Sequence, residues 1–173
     1  QSRSSAASDV YKRQLLALSR VETSKEAFDR STISISDFVR KQIANVYPEV
    51  ELKHQQIQFV EEGTYQVNTN EALLSIVVRN LLDNAIRYSP RDSQIDVSVN
   101  QKHGHVYLSI EDSGIGLTND QIKKLGVRFQ RIGQVDSTGS GLGWSIINKI
   151  ADVQKLSISV SKSSQLGGLL VSI

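Results

Sequence analysis

The sequence predicts an α+β fold. The expected architecture is a two-layer α/β sandwich, with a mixed, mostly antiparallel five-stranded sheet packed on three helices. Three observations carry this. Ile95, Val97 and Val99, then Val106, Leu108 and Ile110, alternate with polar residues around His103-Gly104-His105, as the strands of a hairpin do. Leu74, Val78, Leu81, Leu82 and Ala85 fall on one face of a helical wheel, and Ile146, Ile147 and Ile150 repeat that spacing near the end of the chain. Helical and strand patterns interleave throughout, which suits helices laid on one face of a sheet.

The remaining elements follow in order. Residues 1–14 have few apolar side chains and no clear period, and read as a non-native or disordered tail. Leu15, Leu18 and Val21 give a short helical stripe that fades into a polar linker, so residues 15–30 are expected to be a helix end and linker and 31–173 the folded domain. Ile33 and Ile35 alternate with serines, as in a short strand. Ser36 is a suitable N-cap for a helix ending about Tyr47, before Pro48. Ile57 and Phe59, then Tyr65 and Val67, suggest two strands around a turn at Gly63. Asn70 caps the next helix, which Pro90 closes. Residues 113–140 are glycine-rich and irregular, with one short helix near Asp120–Leu125, and a further helix starts near Gly141. Two last strands carry Leu156, Ile158 and Val160, then Leu169, Val171 and Ile173.

Composition narrows the functions available. A net charge of +2 is too small to point to nucleic acid or an anionic membrane as partner. Without cysteine there are no disulfides, cysteine–zinc sites or thiol catalysis. No apolar run reaches the roughly 20 residues of a membrane helix, and no signal peptide is visible. The chain also lacks methionine, and is read as a piece of a longer protein.

Chemistry concentrates between Arg79 and Gly143. Asn80, Asn84, Arg87 and Tyr88 stand at i, i+4, i+7 and i+8, a polar stripe beside the apolar one. Asparagine is a poor helix former because its amide competes with the backbone. Its oxygen is, however, a hard ligand suited to Mg²⁺, and Arg87 could meet the same phosphates; the alternative is a solvated polar flank. Period two carries Asp112 onto the apolar side of its strand, where a carboxylate is costly unless donors meet it. The N6 amino group of adenine is such a donor, whereas guanine presents an oxygen there. Gly114 and Gly116 would let the backbone approach a flat base; an ordinary strand-end turn is the alternative.

Gly139, Ser140, Gly141, Leu142 and Gly143 precede a helix, whose N–H groups could face an anion. Neither a Rossmann fingerprint nor a Walker loop fits this spacing. Arg128 and Arg131 flank Phe129 in the irregular stretch, where they could fold onto phosphates or form surface ion pairs.

These four elements, R-N-L-L-D-N-A-I-R-Y-S-P (Arg79–Pro90), D-S-G-I-G (Asp112–Gly116), R-F-Q-R (Arg128–Arg131) and G-S-G-L-G (Gly139–Gly143), resemble the N-box, first glycine box, F-box and second glycine box of bacterial sensor histidine kinases. The likeness is to the catalytic ATP-binding domain with the Bergerat fold, in particular to QseC-type kinases, and runs from about Leu15 to Ile173. It implies that Asn84 ligates Mg²⁺ with Asn80 nearby, that Arg87 and Tyr88 contact phosphates and nucleotide, and that Asp112 holds adenine. It also implies that Arg131 stabilises the γ-phosphate and that residues 113–140 form a lid. Asn80 and Arg131 would be the catalytic positions. Gyrase- and Hsp90-type ATPases carry a glutamate base where Asn80 stands, and an amide cannot take that proton.

The resemblance further implies a dimeric parent in the inner membrane, with this piece on the cytoplasmic side and monomeric. Its partners would be a histidine-bearing dimerisation domain of the same parent and a response regulator downstream. His54, His103 and His105 lack the sequence context of a phospho-accepting histidine. A related serine kinase or anti-sigma regulator, or a nucleotide-sensing module, are the alternatives.

Overall fold

The computed structural model describes residues 29–125 and 143–173. The elements in chain order are β1 (Ser31–Ser34), α1 (Ile35–Leu52), β2 (Gln56–Glu61), β3 (Gln66–Thr69), α2 (Glu71–Tyr88), β4 (Gln94–Lys102), β5 (His105–Asp112), α3 (Asn119–Lys123), α4 (Gly143–Gln154), β6 (Ser159–Lys162) and β7 (Leu169–Ser172). The main sheet has five strands in the order β2-β4-β5-β7-β6, and only the β2–β4 pair is parallel. A parallel pair needs a long crossover, and β3 and α2 supply it. The expected mixed, mostly antiparallel sheet under α1, α2 and α4 is present.

Binary patterning explains the layering. Ile95, Val97 and Val99 of β4, Leu108 and Ile110 of β5 and Val171 of β7 point to one face and are buried. They meet Val39, Val46 and Val50 of α1, Leu74, Val78, Leu81, Leu82 and Ala85 of α2, and Ile146, Ile147 and Ile150 of α4 in one cluster. Burying a Leu, Ile or Val side chain contributes about 1.5–3 kcal/mol, so this shared face is what holds the layers together. The opposite sheet face carries Gln94, Asp96, Ser98 and Asn100.

Three local expectations are corrected. The helix expected to start at Ser36 and stop before Pro48 begins at Ile35, capped by the Ser34 hydroxyl, which accepts from the Asp37 amide at 3.4 Å. Ser36 is instead buried, and Ile35 belongs to the helix rather than to a strand. The helix then runs through Pro48 to Leu52. Proline removes the bond to the carbonyl four residues back, but Pro48 and Ala44 are both exposed, so that carbonyl faces water. Val46 and Val50, on either side, are buried and keep the turn on the core.

The two strands flanking Gly63 exist but do not pair with each other. β3 joins β1 in a separate two-stranded sheet, while β2 joins β4. Leu156 and Ile158 lie ahead of β6 rather than in it, packed partly buried against the core. The short helix expected near Asp120–Leu125 is α3, which opens on a capping box between Thr118 and Gln121. The tail 1–14, the stripe Leu15–Val21 and most of the linker lie outside the described residues. Asp29 and Arg30 are tied down: Asn70 Nδ2 donates to the Asp29 carbonyl at 3.1 Å, and Arg30 donates to the Gln154 carbonyl at 3.0 Å.

Two polar devices fix α2. Asn70 caps its start by accepting from Leu73 N at 3.0 Å. At its end Lys53 Nζ donates to the carbonyls of Ile86, Arg87 and Ser89 at 2.7, 3.1 and 2.8 Å. Gln55 Nε2 donates to those of Ile86, Ser89 and Pro90 and to the Ser93 hydroxyl. A cation on the last carbonyls also complements the helix dipole. Lys53→Met should therefore cost about 1–2 kcal/mol, read as a lower urea midpoint with an unchanged slope.

Candidate nucleotide site

Helix α2 and the end of β5 build the site. Asn80, Asn84 and Tyr88 follow one another at single-turn spacing, and eight residues of helix cover about 12 Å along the axis. Each end of this row meets another element. At the Asn80 end, a Cβ placed on Gly143 would lie 3.2 Å from Asn80 Oδ1, so the first turn of α4 abuts the amide. At the Tyr88 end, a Cβ on Gly114 would lie 2.9 Å from both the Tyr88 carbonyl oxygen and Asp112 Oδ1. The row thus runs from a helix N-terminus, favourable to anions, to a buried carboxylate.

Asp112 takes the inward position that period two assigns it and is 7% exposed. Its Oδ1 accepts from Gly114 N at 2.9 Å and Leu169 N at 3.3 Å. Burial pushes this carboxyl above the usual carboxylate range, opposed by the amides of Gly114 and Leu169 and by Ser89. The Ser89 hydroxyl faces it without completing a hydrogen bond. Both amide bonds go to Oδ1, so Oδ2 takes neither. The backbone of Gly116 is left-handed, with φ +66, as a turn without a side chain permits. Between the glycines Ile115 is 81% exposed, an apolar side chain beside a polar recess.

The two asparagines differ. Asn80 is buried, and its Nδ2 donates to the Ile76 carbonyl one turn back at 2.7 Å. Asn84 is half-buried, and its Nδ2 is shielded with no hydrogen-bond partner among the described residues. A shielded polar atom without a partner costs about 1–3 kcal/mol, which a ligand would relieve. A half-turn of the amide exchanges nitrogen for oxygen, and an oxygen there suits Mg²⁺, which keeps waters and needs few protein ligands. Among the described residues no group of three His, Cys, Asp or Glu could hold a metal. A single amide oxygen of this kind would fit a metal carried in with phosphates.

Asp83, the carboxylate next to Asn84, faces the other way. It accepts from Arg79 Nε at 2.9 Å, and Arg79 reaches across to Glu49 Oε1 at 2.9 Å and the Asn45 carbonyl at 3.0 Å. Burial raises the Asp83 pKa, with Arg79 opposing. This acid is engaged in docking α2 on α1. Arg87 and Tyr88 are exposed, and Arg87 lies within electrostatic reach of Asp83 and Lys53. Arg128, Arg131, Gly139, Ser140, Gly141 and Leu142 lie outside the described residues, as does most of the expected lid.

One contributor was not anticipated from the sequence. Gly168, between β6 and β7, packs directly on Asp112. A Cβ on Gly168 would fall inside contact distance of Asp112 Oδ1 and its carbonyl, and 2.6 Å from Gly114 N. The signal that could have found it is the Gly167-Gly168 pair before the last strand, since paired glycines suit a close backbone approach.

Residues 69–173 match the family described as histidine kinase-, DNA gyrase B- and HSP90-like ATPase, and the chain belongs to that family. It is the ATP-binding catalytic domain of a sensor histidine kinase. Sensor protein QseC of Escherichia coli (strain K12) is 32% identical over 155 residues, which cover 89% of this chain and 34% of QseC. Sensor-like histidine kinase SenX3 of Mycolicibacterium smegmatis is 27% identical over 143 residues, 80% of this chain and 37% of SenX3. The chain thus spans about a third of the length of these relatives. The cytoplasmic segment of histidine kinase QseC superposes with a TM-score of 0.67 at 25% identity, covering 98% of this chain and 91% of that one. The mycobacterial sensor histidine kinase MprB, at 22% identity and TM-score 0.70, covers 83% and 95% and shares the fold.

Because burial holds the folded-state pKa of Asp112 above its unfolded value, ionised Asp112 costs stability at neutral pH. That cost vanishes as pH falls below the unfolded carboxylate range, where the group is protonated in both states. Asp112→Asn keeps an oxygen for both amides. It should melt higher than the parent chain at pH 7, and the gain should shrink toward zero near pH ~4. Gly168→Ala should lose about 1–3 kcal/mol in urea titrations, since backbone must move to admit the methyl group.

Proposed function

We propose that this chain holds ATP for transfer of its γ-phosphate to a histidine on a dimerisation domain of the same parent protein, and that a response regulator receives the phosphate next. The observation that carries this reading is the pairing of a buried acid, Asp112, with two amides on successive turns of one helix. Asp112 would accept a hydrogen bond from the adenine amino group. Gly114, Gly116 and the apolar Ile115 would border the base. Asn84, with Asn80 beside it, would hold Mg²⁺ against the phosphates, and Arg87 and Tyr88 would contact phosphate and nucleotide. When bound, the metal supplies charge neutralisation of the triphosphate. Arg128, Arg131 and the 139–143 turn would close over the phosphates.

The reading also accounts for why ATP would survive in the site. The position one turn before Asn84 is an amide, and the neighbouring Asp83 is committed to Arg79. No carboxylate of α2 is left on the phosphate side to activate water. Positioning and charge neutralisation would be supplied here and the nucleophile elsewhere, which is how phosphoryl transfer divides its labour. No helix among the described residues is long and apolar enough to cross a membrane. In this reading the piece works on the cytoplasmic side of an inner-membrane parent, monomeric by itself, while the parent dimerises.

Two experiments test it. Asn84→Ala should weaken Mg-ATP binding about tenfold or more while changing metal-free ATP binding less than about threefold; equal loss in calorimetry would reject the metal role. Radiolabelled ATP, with the histidine-bearing domain of the parent added in trans, should label that domain on histidine. Label on a serine of a partner would instead favour a serine kinase, and tight binding without transfer a sensing module.

A further inference from the structure

The turn between β6 and β7 is organised around one side chain that the nucleotide reading leaves without a role. Ser163 is 3% exposed. Its hydroxyl accepts from Leu166 N at 2.7 Å and Gly167 N at 3.0 Å, and donates to Glu111 Oε1. One donor and two lone pairs are all a hydroxyl has, so Ser163 is fully used. Its own N–H closes the turn by donating to the Gly168 carbonyl at 2.8 Å.

The same turn bears on Asp112. Gly168 N donates to the Asp112 carbonyl at 3.1 Å, and Leu169 N to Asp112 Oδ1 at 3.3 Å. Glu111 and Asp112 are consecutive in β5 and project to opposite faces of the sheet. Glu111 therefore grips the turn through Ser163 from the outer face, while Asp112 is gripped by Gly168 and Leu169 on the inner face. The segment Ser163–Leu169 is thus held by the Glu111 carboxylate at one end and by the Asp112 carbonyl and carboxylate at the other. Of the two amides that meet Asp112 Oδ1, Gly114 N at 2.9 Å belongs to the strand-end turn, and Leu169 N at 3.3 Å is as well placed as the 163–168 turn is rigid.

We propose that Ser163, held by Glu111, is a positioning residue for purine recognition. By fixing the 163–168 turn it aims the Asp112 carboxylate and sets the preference of the site for adenine over guanine. This rests on the nucleotide reading of the site, and the test separates the two.

Calorimetry of the full chain with Mg-ATP, Mg-GTP and Mg-tripolyphosphate would be compared for the parent and for Ser163→Ala, Glu111→Ala and Glu111→Gln. Ser163→Ala and Glu111→Ala should weaken Mg-ATP about tenfold. They should leave Mg-GTP and Mg-tripolyphosphate within about twofold, so that the ATP/GTP ratio collapses. Glu111→Gln still accepts the serine hydroxyl and should keep the parent ratio. Should Ser163→Ala fail to fold, the two variants at half-buried Glu111 decide the matter.

An unchanged ATP/GTP ratio in the alanine variants, or a parallel loss for all three ligands, would overturn the positioning role while leaving the nucleotide site intact. A parent chain that binds neither Mg-ATP nor Mg-tripolyphosphate would overturn both.

Discussion

A carboxylate on the apolar face of a sheet is the constraint around which this domain is arranged. Asp112 occupies a position that Val106, Leu108 and Ile110 mark as inward-facing, and it stays there because backbone amides from two separate segments meet one of its oxygens. Everything touching it must be small. Gly114 and Gly168 leave no room for a Cβ, and Gly116 turns through a left-handed conformation beneath the carbonyls of Gly167 and Gly168. The upward shift of its pKa is the desolvation cost of keeping that acid dry, seen in its titration. A fold under selection for stability alone would have placed an apolar residue there, and the retained acid points to a ligand that completes its hydrogen bonding.

Helix α2 converts this single point into a site of molecular length. Four-residue spacing puts Asn80, Asn84 and Tyr88 on one flank of the helix, and its apolar stripe fixes the rotation that turns this flank toward Gly143 and Gly114. Lys53 and Gln55 satisfy its last carbonyls, which holds Ser89 and the Tyr88 carbonyl against the Gly114 turn. Arg79 bridges to Glu49 and uses Asp83 on the way. The acid nearest the amides is thereby kept for packing rather than proton transfer. Family membership shows a nucleotide-binding domain, and the proposed reading adds a metal-bridged triphosphate held by the amides without a base to hydrolyse it.

Much of this was legible in the sequence because it depends on local periods. Period two placed Asp112 inward, a 100° wheel separated the core stripe of α2 from its amide stripe, and Asn70 and Pro90 marked that helix's ends. What could not be read depends on contacts between distant segments. β2 and β3 look like partners around Gly63, yet pairing is decided by which strands the crossover brings together. Pro48 looks like a helix stop, yet the burial of Val46 and Val50 outweighs one lost backbone bond. Gly168 and Ser163 have no place in a reading by local periods, because the acids they serve are more than fifty residues earlier in the chain.

The most direct measurement is a crystal structure of the chain with magnesium and a non-hydrolysable ATP analogue. The account predicts the adenine amino group within hydrogen-bond distance of Asp112, the triphosphate running back along α2 toward the first turn of α4, and the metal on the Asn84 amide oxygen. A base bound away from Asp112, or a metal held without Asn84, would contradict it.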